Sequence, residues 1–397
     1  MKVIAVGAGP GSRELLTEQA VRAVETADRI FGSGHTAETF SEITDRFEVR
    51  SISETLGYIA ENAQKEETVL VAASGDTGYY SIAATIARNL PEGCSLEFLP
   101  GISSMQMFCA MTKHSYADMK LISLHGRSGS IVPYACYHSS VFTLTGGMQK
   151  AGDILQELCD FGLGHLTCYV GENLTLPDEK ICSGTAEELC GETFSDLAVM
   201  IIDNPSPADP FRVLADEDFC RGKVPMTKKA IRDLAAAELS VHPGDVVWDV
   251  GAGTGAMTSV LALKAHENIV WTAEKKTEAY ELALENFRKL GIHNVRIVQG
   301  EAPEALEDFP APDKVFIGGS SGNLREILSL ILSKNPAAEV LVTAVSMETL
   351  TESWELFTEL GMDPLVRQIS AAVSHKLGNY HLMQADNPVW LIKGAKS

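Results

Sequence analysis

Short apolar runs alternate with amphipathic stretches along the chain, and this rhythm restricts the fold more than any other feature of the sequence. Strands are expected at 2–6, 29–32, 68–73, 95–99, 120–124, 140–144, 166–170 and 197–202, with helices between them such as 16–26, 81–90, 103–111 and 150–161. A stretch without periodicity follows, "DNPSPADPFRVLADEDFCRGKVP". Its four prolines and mixed charge read as a connection between domains. The rhythm then resumes with a helix over 227–239, strands at 246–250, 269–274, 295–299, 314–318 and 339–344, and a β-rich end around 364–375 and 389–392. Alternation of this kind builds α/β layers on largely parallel sheets. In 397 residues it predicts a first domain over 1–205, a linker over 206–222 and a second domain over 223–397.

The balance of charge narrows the partners. Net charge is −21 and both halves are acidic, so no polyanion-binding surface is expected and nucleic acid is disfavoured. An anionic substrate would need a local basic pocket set against this field. No uncharged apolar run is long enough to span a bilayer, and the chain enters its first strand without a leader-like segment, so no membrane partner and a cytoplasmic location are expected. Eight cysteines fall within the first 220 residues, none in CxxC spacing, and read as reduced thiols. No His/Cys grouping suggests a metal.

Two strand-to-helix turns are rich in glycine. In "VVWDVGAGTGAMTSVL", Gly251, Gly253 and Gly255 let the backbone turn tightly and approach a ligand at a helix N-terminus. Asp249, just before them, is a candidate to meet an ammonium group through water. Glu274 ends the next strand, 23 residues after Gly251, where a carboxylate can accept both hydroxyls of a ribose. "GEAPEAL" then sets Glu301 and Ala302 where an adenine could lie. This spacing suits NAD or S-adenosylmethionine equally.

The segments "VPMTKKAIRDLAAAELSVHPGDVVWDVGAGTGAMT", "GEAPEAL", "FIGGSSGNL" and "HKLGNYHLMQADNPVWLI" together resemble the decarboxylating methyltransferase domain of corrin biosynthesis, over nearly all of 223–394. The resemblance implies a Rossmann-like class I methyltransferase fold. It also implies S-adenosylmethionine contacts from Thr227, Gly251, Ala252, Gly253, Thr254, Gly255, Glu274 and Ala302. Methyltransferases acting on nitrogen often carry N/D-P-P-Y after the fourth strand. Here the chain has Ile317-Gly318-Gly319-Ser320, which suits a carbon nucleophile better.

The first turn, "VGAGPG", fails as a phosphate cradle, because Pro10 lacks the N–H that such a cradle uses and no acid ends the second strand. Its companion loops "SGDTGYYS", "LPGISSMQ", "LHGR" and "TLTGGM" each follow a strand, where open α/β sheets gather ligands. In this order they resemble the tetrapyrrole methylase family, specifically its C-5 methylating corrin members, over about 2–203. A departure is Thr77, where many members have proline. The family fold holds S-adenosylmethionine between two α/β lobes, here about 1–113 and 118–205. The implied donor contacts are Gly7, Gly9, Pro10, Gly11, Ser74, Gly75, Asp76, Ser103, Ser104, Thr145 and Gly146.

The paired resemblance implies methylation of a precorrin ring at C-5 and C-15, with loss of the C-12 acetate carboxyl, on a metal-free or a cobalt-bearing macrocycle. Orientation of an activated methyl against an enamine-like carbon carries much of such a rate, and no strong base stands out as a catalytic residue. Arg127 and His125 are candidate anchors for substrate carboxylates in the first domain, and Lys376, Asn379 and His381 in the second. Asp76 could equally form an Asx-turn. Lys228 and Lys229 read as solvated, Tyr79 and Tyr80 as cleft wall or core, and His114 and His138 as structural. A homo-oligomer is expected, since related C-terminal domains assemble. An RNA or protein methyltransferase is disfavoured by the acidic charge and the missing N/D-P-P-Y. A non-enzymatic tetrapyrrole carrier is disfavoured by the intact Glu274 and glycines.

Overall fold

The computed structural model describes residues 1–126 and 129–396. They form two compact units. In the first, 140–156 and 165–203 pack with the N-terminal residues; the second comprises 129–139, 157–164 and everything from 204 onward. Among the described residues, no helix is long and apolar enough to cross a membrane.

The first unit carries two sheets. Strands β1 (Lys2–Gly7), β2 (Arg29–Gly32), β3 (Phe47–Val49), β4 (Thr68–Ala73) and β5 (Ser95–Leu99) form a parallel sheet in the order β3-β2-β4-β1-β5. Its central strands are buried on both faces, by Ile4, Val6 and Leu70 on one side and Val3, Ala5 and Val71 on the other. The three-residue edge strand β3 escapes sequence reading because it is short and only half-buried.

Strands β6 (Lys120–Ser123), β7 (Ser140–Leu144), β8 (Thr167–Glu172), β9 (Lys180–Thr185) and β10 (Ala198–Asp203) form the second sheet, ordered β6-β7-β10-β8-β9. This sheet departs from the largely parallel pattern of the rest of the chain. Only β6 and β7 run parallel; the other three pairs are antiparallel. The cause is the connections. A parallel return needs a crossover, usually helical, whereas β8 and β9 are joined by the short segment 173–179, which holds no helix.

In the second unit, β11 (Val247–Val250), β12 (Val270–Glu274), β13 (Val295–Gln299), β14 (Lys314–Ile317) and β15 (Glu339–Ala344) are parallel. β16 (Asp363–Ile369) is followed by a separate hairpin, β17 (Ala372–Leu377) and β18 (Tyr380–Ala385), and then by β19 (Val389–Ala395). The seven-stranded order is β13-β12-β11-β14-β15-β19-β16, with β19 antiparallel to both neighbours. The sheet turns back on itself between β11 and β14, and the carboxyl ends of strands at such a reversal form a crevice. The helix Ala256–Lys264 that follows β11 is buried along eight of its nine residues, so it lies inside the unit.

The proline-rich stretch before this sheet is packed chain. Leu214 and Phe219 are buried, and the Arg212 guanidinium donates to the Leu290 carbonyl.

Candidate active sites

A cavity of about 650 Å³ opens at the reversal point of the C-terminal sheet. Thr227, Gly251, Ala252, Gly253, Thr254, Glu274 and Ala302 all line it, so the second glycine turn, the acid after β12 and the loop after β13 converge there. Glu274 is 8% exposed. One carboxylate oxygen accepts the Gly253 amide at 2.8 Å and the other the Lys276 amide at 2.9 Å. The carboxylate is thereby fixed, and each oxygen keeps a lone pair for a further donor. Gly255 does not line the cavity. A β-carbon there would stand 2.7 Å from the Phe287 ring, so this glycine sets the packing of helix Ala256–Lys264 on helix Thr277–Leu290.

Asp249 corrects an expectation. It does not line the cavity, being only 1% exposed with one oxygen on the Thr258 hydroxyl and the other, Oδ1, unpartnered. Burial pushes its carboxyl up to about 7, Glu274 adds to this, and the Thr258 hydrogen bond opposes it.

The loop after β14 closes another side. Gly318, Gly319, Ser320 and Ser321 line the cavity, Ser321 has φ +54°, and the Asn323 amide donates to the Ala302 carbonyl at 2.9 Å. Sequence reading missed Lys275 and Lys276, which with Lys228 bring positive charge to this cavity. Lys275 pairs with Glu301 at 2.7 Å. It also missed Asp386 and Asn387, in the connection from β18 to β19, and Val389 at the start of β19.

Lys376, Asn379 and His381 stand on that hairpin, exposed and not among the cavity-lining residues. Lys376 and His381 are direct cross-strand partners, so both project from one face. Val373, Leu377, Tyr380 and Leu382 share the opposite face, all exposed.

In the first unit the glycines meet backbone to backbone. A β-carbon on Gly7 would stand 2.5 Å from the Gly101 nitrogen and 2.7 Å from the Gly75 carbonyl oxygen. Gly9 and Gly75 exchange amide-to-carbonyl bonds at 3.1 and 2.9 Å. Asp76 stitches this floor together, one oxygen accepting the Gly78 amide at 2.6 Å and the other the Gly101 amide at 3.0 Å. Pro10 is buried, and Gly11 faces Thr175 and Leu176. Ser74 is exposed, while the buried Ser103 hydroxyl accepts the Gln106 amide as a helix cap, leaving Ser104 as the first helical residue. Thr77 is also buried.

A second cluster lies at the end of β7. The Thr145 hydroxyl donates to the Ala198 carbonyl at 2.8 Å, His125 Nδ1 pairs with the Thr145 carbonyl at 2.9 Å, and a β-carbon on Gly146 would stand 2.7 Å from that imidazole nitrogen. Arg127 lies outside the described residues. Tyr79 is half-buried and donates its hydroxyl to the Ile122 carbonyl at 3.1 Å; burial raises its pKa. His114 pairs with Asp203 at 3.0 Å, and His138 with the Tyr134 carbonyl at 3.2 Å. None of the eight cysteines is disulfide-bonded.

Comparison with known proteins gives a separate answer for each half. Residues 2–190 match the family model described as Tetrapyrrole (Corrin/Porphyrin) Methylases, and residues 218–396 match the Precorrin methyltransferase domain. A probable cobalt-precorrin-6B C(15)-methyltransferase (decarboxylating) of Pyrobaculum calidifontis is 35% identical over 182 residues, 45% of this chain and 93% of the relative. Its counterpart in Sulfurisphaera tokodaii is 32% identical over 186 residues, 46% of this chain and 97% of the relative. A precorrin-6Y C(5,15)-methyltransferase [decarboxylating] of a Sinorhizobium species spans both halves, at 26% identity over 291 residues, 72% of this chain and 70% of the relative.

Proposed function

The chain belongs to the decarboxylating precorrin-6Y C(5,15)-methyltransferases, which join a tetrapyrrole methylase to a precorrin methyltransferase domain, and from that premise we propose that each unit holds its own S-adenosylmethionine. The N-terminal unit methylates C-5 of a precorrin ring, and the C-terminal unit methylates C-15 and removes the C-12 acetate carboxyl.

The observation that carries this reading is the disposition of Glu274. Its oxygens are held by the Gly253 and Lys276 amides at the wall of a 650 Å³ cavity, and each retains a lone pair. A carboxylate so fixed accepts the two ribose hydroxyls of a nucleoside. Gly251 to Thr254 let the donor lie against backbone, and Ala302 leaves room for a flat base. The residues present therefore fit the donor. When bound, it supplies a methyl carbon that needs no further activation.

The chain's own part is placement. Ile317-Gly318-Gly319-Ser320 stand where nitrogen methyltransferases often carry an amine-accepting motif, and these residues bring no carboxylate or amide side chain that accepts amine hydrogens. The ring carbon must be held at near-attack distance with water excluded. Lys228 and Lys276 offer cations to a polycarboxylate macrocycle at a cavity that Glu274, Glu301 and Asp386 also line, with Lys275 paired to Glu301. Lys376 and His381, side by side on the hairpin, are further anchors. In the N-terminal unit the Gly7–Gly75–Gly101 floor and the loops at Ser103 and Thr145 form the donor site. Asp76 acts there through the backbone it holds.

The apolar face of the hairpin supports a homo-oligomer, because an isolated two-stranded ribbon is marginal in water and this one presents Val373, Leu377, Tyr380 and Leu382 to solvent. Incubating the full chain with S-adenosylmethionine and the reduced precorrin precursor tests the activity. Mass spectrometry should find two added methyl groups and one lost carboxyl, and an unchanged mass would refute it. Parallel reactions with metal-free and cobalt-loaded macrocycle decide which form is the substrate.

A further inference from the structure

Residues 221–228, which lead into helix Lys229–Leu239, form neither helix nor strand. Val224, Pro225 and Met226 line the 650 Å³ cavity and also a second hollow of about 360 Å³. A segment of chain that borders two open spaces depends on its ends to set its position.

Each end is held by a fully buried polar side chain. At one end, Asn286 accepts the Cys220 amide at 2.6 Å and donates to the Cys220 carbonyl at 3.3 Å and the Thr254 carbonyl at 2.8 Å. At the other, the Arg232 guanidinium donates at 2.6 Å to both the Thr227 carbonyl and Asp216, and at 3.1 Å to the Leu214 carbonyl. It lies 4.9 Å over the Phe219 ring, and Asp216 also accepts the Lys229 amide at 3.0 Å. A guanidinium stays charged when buried, so these bonds offset its desolvation, although its Nε has no partner. Neither clamp lines the cavity, yet each holds a residue that does, Thr254 and Thr227.

We infer that Arg232 and Asn286 are positioning residues that fix the 221–227 strap as a wall of the C-terminal donor site, and that donor affinity there depends on both. The inference rests on the methyl-donor reading of that cavity. Losing one charge-assisted bond is worth about tenfold in an equilibrium constant.

The test uses the full chain and the variants R232K, D216N, N286D and, as a site marker, E274Q. R232K keeps the charge without the fork; N286D keeps the acceptor without the donors. The expected result is about a tenfold rise in the S-adenosylmethionine KM for C-15 methylation in the clamp variants, with kcat little changed and C-5 methylation unaffected. Limited trypsin digestion gives a readout independent of activity. Cleavage at Arg221 and Lys223 should accelerate in the variants and be suppressed by the donor in the wild type. Unchanged KM and unchanged strap cleavage in R232K and N286D, with donor binding still lost in E274Q, would overturn the inference alone. Donor binding identical in E274Q and wild type would overturn the methyl-donor reading, and this inference with it.

Discussion

Gly255 lies so close to Phe287 that a β-carbon would stand 2.7 Å from one ring carbon and 2.9 Å from another. Its φ of +75° adds a second reason for glycine. Gly255→Ala should therefore lose about 1–3 kcal/mol of stability, from overpacking and from the strained backbone. Urea denaturation followed by tryptophan fluorescence measures this; an unshifted midpoint would mean that the two helices part at no cost.

Asp249 should give the stability of the C-terminal unit a pH dependence. Its folded pKa, raised by burial to about 7, exceeds the ordinary value of 3.8. Between these values the folded state keeps a proton that the unfolded chain releases, so stability falls as pH rises toward 7. Asp249→Asn preserves an acceptor for Thr258 and removes the titration. Relative to wild type it should be more stable at pH 8 than at pH 5. Urea midpoints at the two values would show the crossover, and parallel profiles would place the dependence elsewhere.

Glu274→Gln should abolish C-15 methylation and decarboxylation while C-5 methylation continues. The neutral amide keeps one acceptor and cannot replace the carboxylate that orients Gly253, Lys276 and the donor's hydroxyls. Calorimetry should find donor binding reduced from two sites to one. Equal loss of both methylations would mean that the sites are interdependent.

Gly7→Ala should do the reverse. The new β-carbon would collide with backbone, at 2.5 Å from Gly101 and 2.7 Å from Gly75, so no side chain can move aside. C-5 methylation should be lost and C-15 methylation retained, as read from the position of an isotopically labelled methyl group in the product.

Replacing 372–385 with a short glycine–serine turn should lower the oligomeric state measured by light scattering. A variant with the same mass distribution as wild type would count against the hairpin as the assembly surface.

The parallel C-terminal sheet was legible because its strands are short runs rich in apolar residues, and β11 and β14 end in turns of small residues. Other features required the fold itself. Every residue of β11 is buried, so its alternation does not say that Asp249 turns to Thr258 rather than to the ligand crevice. Asp76 reaches Gly101, 25 residues on, a contact that no local pattern encodes. Strand β9 was missed because its exposed, mixed residues give it no clear apolar face. Lys275 and Lys276 were within reach, since they follow Glu274 on the same turn.

Where Gly7, Gly75 and Gly101 meet, in the donor site proposed for the N-terminal unit, peptide plane packs on peptide plane. Such a surface has no rotamers to select, so it offers the same relief to any bound molecule. Discrimination among macrocycles must then be exercised by the side chains around it. Changes there could alter which ring is accepted while the donor's resting place stays as it was.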